Sequence, residues 1–234
     1  MQRLNNQSVA AILAAMNAIH TNSHFVGTSR KHLNAYVDKD AVGCDPLALD
    51  QLAYELAHRI NGCCHLESED VVALIGAPMG AIALGNRVTY WLNELFPRGD
   101  GIIIKSFYAQ KTGEGKDDPF KLRTAFANQI TDRCVIAIED ILNTGESAEK
   151  TICAILAAGG TTVVVAAICN RGNVKAENLN VRFVTSLMEV DLAAYPKDEC
   201  PMCKDRVPMR TDLGHGREFI EERVKEGYIY PVAN

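Results

Sequence analysis

The chain has 234 residues, 47% of them hydrophobic and 23% charged, and carries a formal net charge of −5. That length suits one large domain or two small ones, and the composition supplies a real core, which excludes a disordered or fibrous chain. Neither sign of charge is concentrated in a block, so no nucleic-acid surface is expected, and no apolar run approaches the roughly 20 residues of a membrane span.

Near the N-terminus Val9, Ile12, Leu13, Met16 and Ile19 recur at helical spacing behind polar Asn5, Asn6 and Gln7, with no small-residue cleavage signal. This predicts a surface helix, not a signal peptide. Asp45-Pro46 opens a second helix through Leu47, Leu49, Leu52, Ala53 and Leu56, and Asn61-Gly62 is its expected stop. Val71–Ile75 reads as a short buried strand, Gly76 to Gly80 as a turn, and Ile82 to Leu95 as a helix. Ile102–Ala109 predicts a strand. The residues from Lys111 to Lys121 hold two glycines, a proline and six charged groups, which predicts an exposed, mobile loop. Cys134–Ile138 is expected as a strand, Gly145–Ala158 as a helix stopped by Gly159-Gly160, and Thr161–Cys169 as a β-branched strand, with Val181–Leu187 adding one more.

Strands that alternate with helices imply βαβ units, hence a parallel sheet covered on both faces with ligands at the carboxyl ends of its strands. The expected fold class is therefore α/β, a parallel twisted sheet flanked by helices. One domain is expected over 1–234: an N-terminal segment 1–45, a core 46–190, and a Pro- and charge-rich tail 191–234.

The most informative stretch runs from Cys134 to Ser147. An apolar strand leads into Glu139-Asp140, then into Asn143-Thr144-Gly145-Glu146-Ser147 ahead of a helix. Ionised acids at the end of a buried strand are costly unless a ligand, cation or donor compensates them. Ribose hydroxyls suit the acids, and the turn offers hydroxyls and helix N-terminal amides that favour a phosphate. The alternative is a plain strand-to-helix turn with Thr144 or Ser147 as its cap. Arg171, beside Gly172 at the end of an apolar strand, has a planar fork suited to a carboxylate or is simply a surface arginine. Lys111 and Lys116 lie where a lid could close over a polyanion, or form an ordinary solvated loop.

The segment from Cys134 to Ser147 resembles the diphosphate-sugar signature of the type I phosphoribosyltransferase family, with Asn143 in place of a threonine and Glu146, a negative charge, in place of a glycine. Within that family the orotate phosphoribosyltransferases are most similar. His24-Phe25-Val26-Gly27 through Lys39-Asp40 resembles their base-covering segment, Gly76-Ala77-Pro78-Met79-Gly80 their pyrophosphate loop, and Ile168-Cys169-Asn170-Arg171-Gly172 the strand end whose arginine meets the base carboxylate. The resemblance covers roughly residues 24 to 216. It implies a Rossmann-type core with a small N-terminal hood, and transfer of the 5-phosphoribosyl group from 5-phosphoribosyl diphosphate to a nucleobase nitrogen. Orotate giving orotidine 5′-phosphate and diphosphate is the main expectation. A purine-base enzyme and a non-catalytic regulatory protein sensing the sugar diphosphate are the alternatives. The resemblance further implies Mg²⁺, a homodimer and a cytoplasmic setting. It assigns catalysis to Asp140, Glu139, Lys111 and Lys116. The sugar diphosphate would be held by Asn143, Thr144, Gly145, Glu146, Ser147, Ala77, Pro78, Met79 and Gly80, and the base by Arg171, Phe25 and Lys31.

Eight cysteines without a signal peptide point to reduced thiols rather than a disulfide framework. Cys134, Cys153 and Cys169 sit in apolar runs and are expected as buried packing, and Cys63-Cys64-His65 as loop and strand-entry packing. Cys200-Pro201-Met202-Cys203 is a CxxC pair, but a structural zinc needs four ligands and no second CxxC occurs. Three readings stay open: a tight turn of two thiols, a metal knuckle completed by His215 or another chain, and a redox pair. A similar tail, followed as here by Val207-Pro208 and Gly214-His215-Gly216, occurs in a subset of orotate-enzyme relatives.

Overall fold

A computed structural model describes residues 6–27, 29–64, 66, 70–97, 99, 101–115, 117–190 and 193–225. They group into two compact units. The first comprises Met1–Ile12 and Gly43–Val190, the second Leu13–Val42 and Asp191–Asn234, so the N-terminal segment and the tail, far apart in sequence, fold as one unit.

The first unit is built on a five-stranded sheet in the order Phe183–Glu189, Thr161–Asn170, Cys134–Leu142, Val71–Gly76, Lys105–Tyr108. All neighbouring strands are parallel. Residues such as Leu74, Ile136 and Val164 are fully buried, as expected of strands covered on both faces. The acid-bearing strand is longer than predicted and carries its pairing through Glu139 and Asp140 to Leu142. The last two strands end at Asn170 and Glu189.

Helix Pro46–Cys64 begins where the Asp45 carboxylate accepts the amides of Leu47 and Ala48 at 2.9 and 3.1 Å. It runs past the expected stop at Asn61-Gly62, because Ile60 and Cys64 continue its buried face. Helix Ala81–Leu95 matches its prediction. The strand expected over Ile102–Ala109 starts only at Lys105. Ahead of it Asn93 acts as a surrogate strand partner for Ile104, donating to its carbonyl and accepting from its amide at 2.9 Å each, and Ile102 and Ile103 are left exposed. The ends of the expected loop pair as a short antiparallel ribbon, Gln110–Lys111 against Phe120–Lys121, closed by Thr112 donating to the Pro119 carbonyl, and the described residues between them form an irregular, mostly exposed loop. In helix Glu146–Ala157 the buried stripe is Ala148, Thr151, Ala154 and Ile155, which leaves Cys153 exposed rather than packed; Cys134 is half-buried and Cys169 buried. Cys63 and Cys64 lie in the last turn of a helix, not in a loop, and His65 falls outside the described residues.

Helix Asn6–Ala15 is shorter than the apolar spacing suggested. Asn17 takes a left-handed conformation, and Ile19 then pairs with Val37 in a two-stranded ribbon of the second unit. That unit also holds a three-stranded antiparallel sheet, Phe25–Val26, His32–Leu33 and Ala194–Tyr195. Helix Gly216–Lys225 adds Phe219 to a small core with Val26 and Met209. No described helix is long and apolar enough to cross a membrane.

Truncating Leu74, wholly buried in the sheet, removes packed atoms from the face against helix Ala81–Leu95, where its side chain meets Gly85. Leu74→Ala is expected to cost about 2–5 kcal/mol, read from the midpoint of urea unfolding.

Candidate active site

The candidate groups of the first unit gather at the carboxyl ends of neighbouring strands. Glu139 and Asp140 remain in strand geometry with 7% and 9% exposure, so their side chains leave opposite faces of the sheet. Each is steadied by the next amide: Asp140 N donates to Glu139 Oε1 at 3.2 Å, and Ile141 N to Asp140 Oδ1 at 2.7 Å. The other Asp140 oxygen faces Gly80, where any Cβ would overlap the carboxylate, so this acid and the turn after the Val71–Gly76 strand meet only because position 80 is glycine. Ala77 at the start of that turn is buried and donates its amide to the Ile138 carbonyl at 3.0 Å, Pro78 is half-buried, and Met79 is largely exposed.

Beyond Leu142 the chain turns at Asn143, Thr144 and Gly145. Gly145 has φ +84°, with Val174 and Leu179 packed 3.3 Å from where a Cβ would stand, so glycine is required by conformation and by space. It caps helix Glu146–Ala157 without a side-chain bond, and Thr144 Oγ1 reaches only the Glu146 amide, at 3.4 Å. The capping role proposed for Thr144 or Ser147 is thus not taken up. Both hydroxyls are exposed beside the positive end of a 12-residue helix. The charge of Glu146, the departure from the family pattern, is met by Lys150 Nζ at 3.0 Å.

The Arg171-Gly172 turn lies against the same place. Both amides donate to the Leu142 carbonyl, at 2.9 and 3.2 Å, and a Cβ on Gly172 would overlap the Asn143 backbone. Asn170 locks the turn: its amide group donates to the Val174 carbonyl at 2.9 Å and its oxygen accepts the Val174 amide at 3.0 Å. Arg171 Nε and Nη1 are buried and have no hydrogen-bond partner among the described residues. Burial pushes the neighbouring Cys169 thiol up to about 11, against the opposing pull of Arg171, so Cys169 is a packing group and not a nucleophile.

Other expected residues are placed differently. Lys111 is exposed on the antiparallel ribbon, and Lys116 lies outside the described residues. Lys31 is exposed in the second unit. Phe25, expected to meet the base, is wholly buried in that unit with Tyr36 5.6 Å away and the Arg210 guanidinium 5.8 Å from its ring, so the ring belongs to the local core. Cys200 and Cys203 are brought to His24 and His32, not to His215, which is half-exposed and 3.7 Å from Glu218.

No family model matches the sequence. The orotate phosphoribosyltransferase of Desulforamulus reducens is 29% identical over 205 residues, 88% of this chain and 95% of the relative. That of Chlorobaculum parvum is 25% identical over 206 residues, again 88% of this chain and 94% of the relative. Among solved structures, orotate phosphoribosyltransferase from Aeropyrum pernix covers 77% of this chain and 93% of its own, with a TM-score of 0.59 at 19% identity. The chain has the phosphoribosyltransferase fold. The resemblance read from its motifs therefore extends over most of the chain, and the phosphoribosyltransferase fold explains why the acids, the hydroxyl-bearing turn and Arg171 lie at strand ends. Sequence reasoning singled out these groups but missed Asn170 as the clasp of the arginine turn and Lys150 as the partner of Glu146. The i, i+4 spacing of Glu146 and Lys150 on a predicted helix was the available signal.

Asn170→Ala would leave the amide and carbonyl of Val174 without their side-chain partner. The expected loss is about 1–3 kcal/mol in chemical denaturation, whether or not the variant retains activity.

Proposed function

We propose that this protein transfers the 5-phosphoribosyl group from 5-phosphoribosyl diphosphate to a nitrogen of orotate, giving orotidine 5′-phosphate and diphosphate. The observation that carries the reading is Arg171, whose buried Nε and Nη1 have no hydrogen-bond partner among the described residues although it stands at the end of the strand paired with the one that bears both acids. A planar cation so placed calls for a planar anion, and the orotate carboxylate supplies one in the fork geometry that guanidinium favours. A purine base has acceptors but no carboxylate charge to offer it.

In this reading the exposed hydroxyls of Thr144 and Ser147 and the amides around Gly145 hold the sugar phosphate. The turn from Ala77 to Gly80 holds the diphosphate. Glu139 and Asp140 fix the ribose hydroxyls, and their charge favours the cation that builds on the ring as the bond from the anomeric carbon to diphosphate oxygen breaks and the bond to the base nitrogen forms. No covalent intermediate on a side chain is required. The Asp140 carboxylate is a hard oxygen donor of the kind Mg²⁺ takes together with substrate phosphates, and the glycine at position 80 keeps it clear of a side chain. When bound, that ion would neutralise charge on the departing diphosphate. Lys111, on the ribbon, and Lys116 would add to that neutralisation. The resemblance also supports a homodimer acting in the cytoplasm.

The test is an assay of orotate consumption with 5-phosphoribosyl diphosphate and Mg²⁺, with purine bases as competitors. Arg171→Ala is expected to raise KM for orotate about 10- to 100-fold, matching the loss of a charged hydrogen bond, while leaving calorimetric binding of the sugar diphosphate intact. Asp140→Asn is expected to lower kcat by about 100-fold. Saturable binding with no turnover on any base would replace the enzyme with a sensor.

A further inference from the structure

The second unit contains a cluster that the proposed reaction does not use. Its residues come from two ends of the sequence. His24 and His32 flank the hairpin formed by Phe25–Val26 and His32–Leu33, while Cys200 and Cys203 lie at the start of, and within, the short helix Pro201–Lys204. Strand Ala194–Tyr195 pairs with His32–Leu33 and delivers the cysteines to the hairpin. One nitrogen from each histidine and both sulfurs lie within 4.8 Å of one another. His24 Nε2 is 3.7 Å from Cys200 Sγ and 3.8 Å from Cys203 Sγ; His32 Nδ1 is 3.2 Å from Cys203 Sγ and 2.8 Å from His24 Nε2.

We propose that His24, His32, Cys200 and Cys203 form a structural zinc site that fastens the N-terminal hairpin to the C-terminal tail. Tetrahedral zinc with ordinary bond lengths of about 2.3 Å to sulfur and 2.0–2.1 Å to nitrogen has edges of roughly 3.6 Å between sulfur and nitrogen and roughly 3.3 Å between nitrogens. The three sulfur–nitrogen separations given scatter around these values, the remaining pairs lie within 4.8 Å, and the two imidazoles have to part by about half an ångström to seat the ion.

The surroundings fit the same ligand set. His24 Nδ1 lies 3.1 Å from the Val207 carbonyl, so its proton is donated there and Nε2 presents its lone pair to the cluster. A ligating histidine held by a backbone carbonyl at its other nitrogen is the usual support of a zinc site. His32 Nε2 is buried without a hydrogen-bond partner, and Phe219 packs edge-to-face on the ring with centroids 4.9 Å apart, which keeps that side dry. His24, His32 and Cys200 are at most 1% exposed. Two thiolates, two neutral imidazoles and one Zn²⁺ make a neutral centre, which suits a buried site. Two thiols and two imidazoles select zinc over the hard cations Mg²⁺ and Ca²⁺.

This site also corrects the sequence expectation. The knuckle is completed by two histidines of the N-terminal segment, about 170 residues before the cysteines, and His215 takes no part. The CxxC pair alone supplied half of the ligands, and nothing local in the sequence marked His24 and His32 as the rest.

The test is elemental analysis of the untagged full chain, grown with zinc and dialysed against metal-free buffer. About one zinc per chain is expected. Cys200→Ser and Cys203→Ser should each lose it, and Cys153→Ser, altered on an exposed helix face, should keep it. Should the first two variants fail to fold, the native protein still decides. Titrating its thiols with a mercurial should release the zinc, and replacement by Co²⁺ should give the intense visible bands of a tetrahedral site together with thiolate charge-transfer absorption. Chelation should also lower the Tm by several degrees. Absence of zinc from the native protein together with no thiolate charge-transfer band on adding Co²⁺ overturns the proposal, as does zinc that persists in the folded Cys200→Ser and Cys203→Ser proteins. Neither result bears on orotate turnover, so the two proposals fail separately.

Discussion

The parallel pairing of Cys134–Leu142 with Thr161–Asn170 governs the candidate active site, because register decides which residues leave the sheet side by side. Glu139 pairs with Ala167 and Leu142 with Asn170, so the acid strand and the arginine strand end at the same level. The Leu142 carbonyl can then accept both the Arg171 and the Gly172 amides, and Gly172 can lie against Asn143. A shift of one residue would reverse the faces of Glu139 and Asp140 and separate the turn from Arg171. The buried valines, isoleucines and alanines that fix this register are thus the physical origin of the site, although none of them would touch a ligand.

Two glycines then bring backbone where side chains would obstruct it. Gly80 lets the turn after the Val71–Gly76 strand approach Asp140, and Gly172 lets the arginine turn approach Asn143. The departure at Glu146 is smaller in effect than its charge suggests. Lys150 is one helical turn further on, and their contact pairs the extra negative charge with a positive one beside the turn proposed to hold a phosphate. The local charge balance of a neutral residue at position 146 is thereby partly restored, which favours a functioning anion site over a degraded one.

Much of this arrangement was legible because it depends on local pattern. Apolar runs bounded by turn residues marked the strands, and two acids closing an apolar strand marked a ligand. The failures share one cause, partners supplied from elsewhere in the chain. Asn93 completes the backbone of Ile104 and displaces a predicted strand start. Pairing of Lys111 with Phe120 turns the ends of a polar loop into a ribbon. Phe25 reads as a residue available for stacking, yet it is enclosed by its own unit, and composition cannot report that.

The second unit shows why a metal would be placed where it is. Its strands are two residues long, and its buried apolar side chains, Phe25, Val26, Leu33, Val37, Met209 and Phe219 among them, make only a small core. Apolar burial on that scale supplies little free energy against the entropy of ordering two chain segments, and small units of this kind need a further cross-link. A disulfide between Cys200 and Cys203 would close only a short loop within the tail. Four ligands drawn from both segments instead constrain the long connection between them, and the restriction imposed on the unfolded chain grows with the length enclosed. The position of His24 and His32 on the hairpin therefore matters more than the CxxC pair itself, since without them the thiols would bind only their own turn.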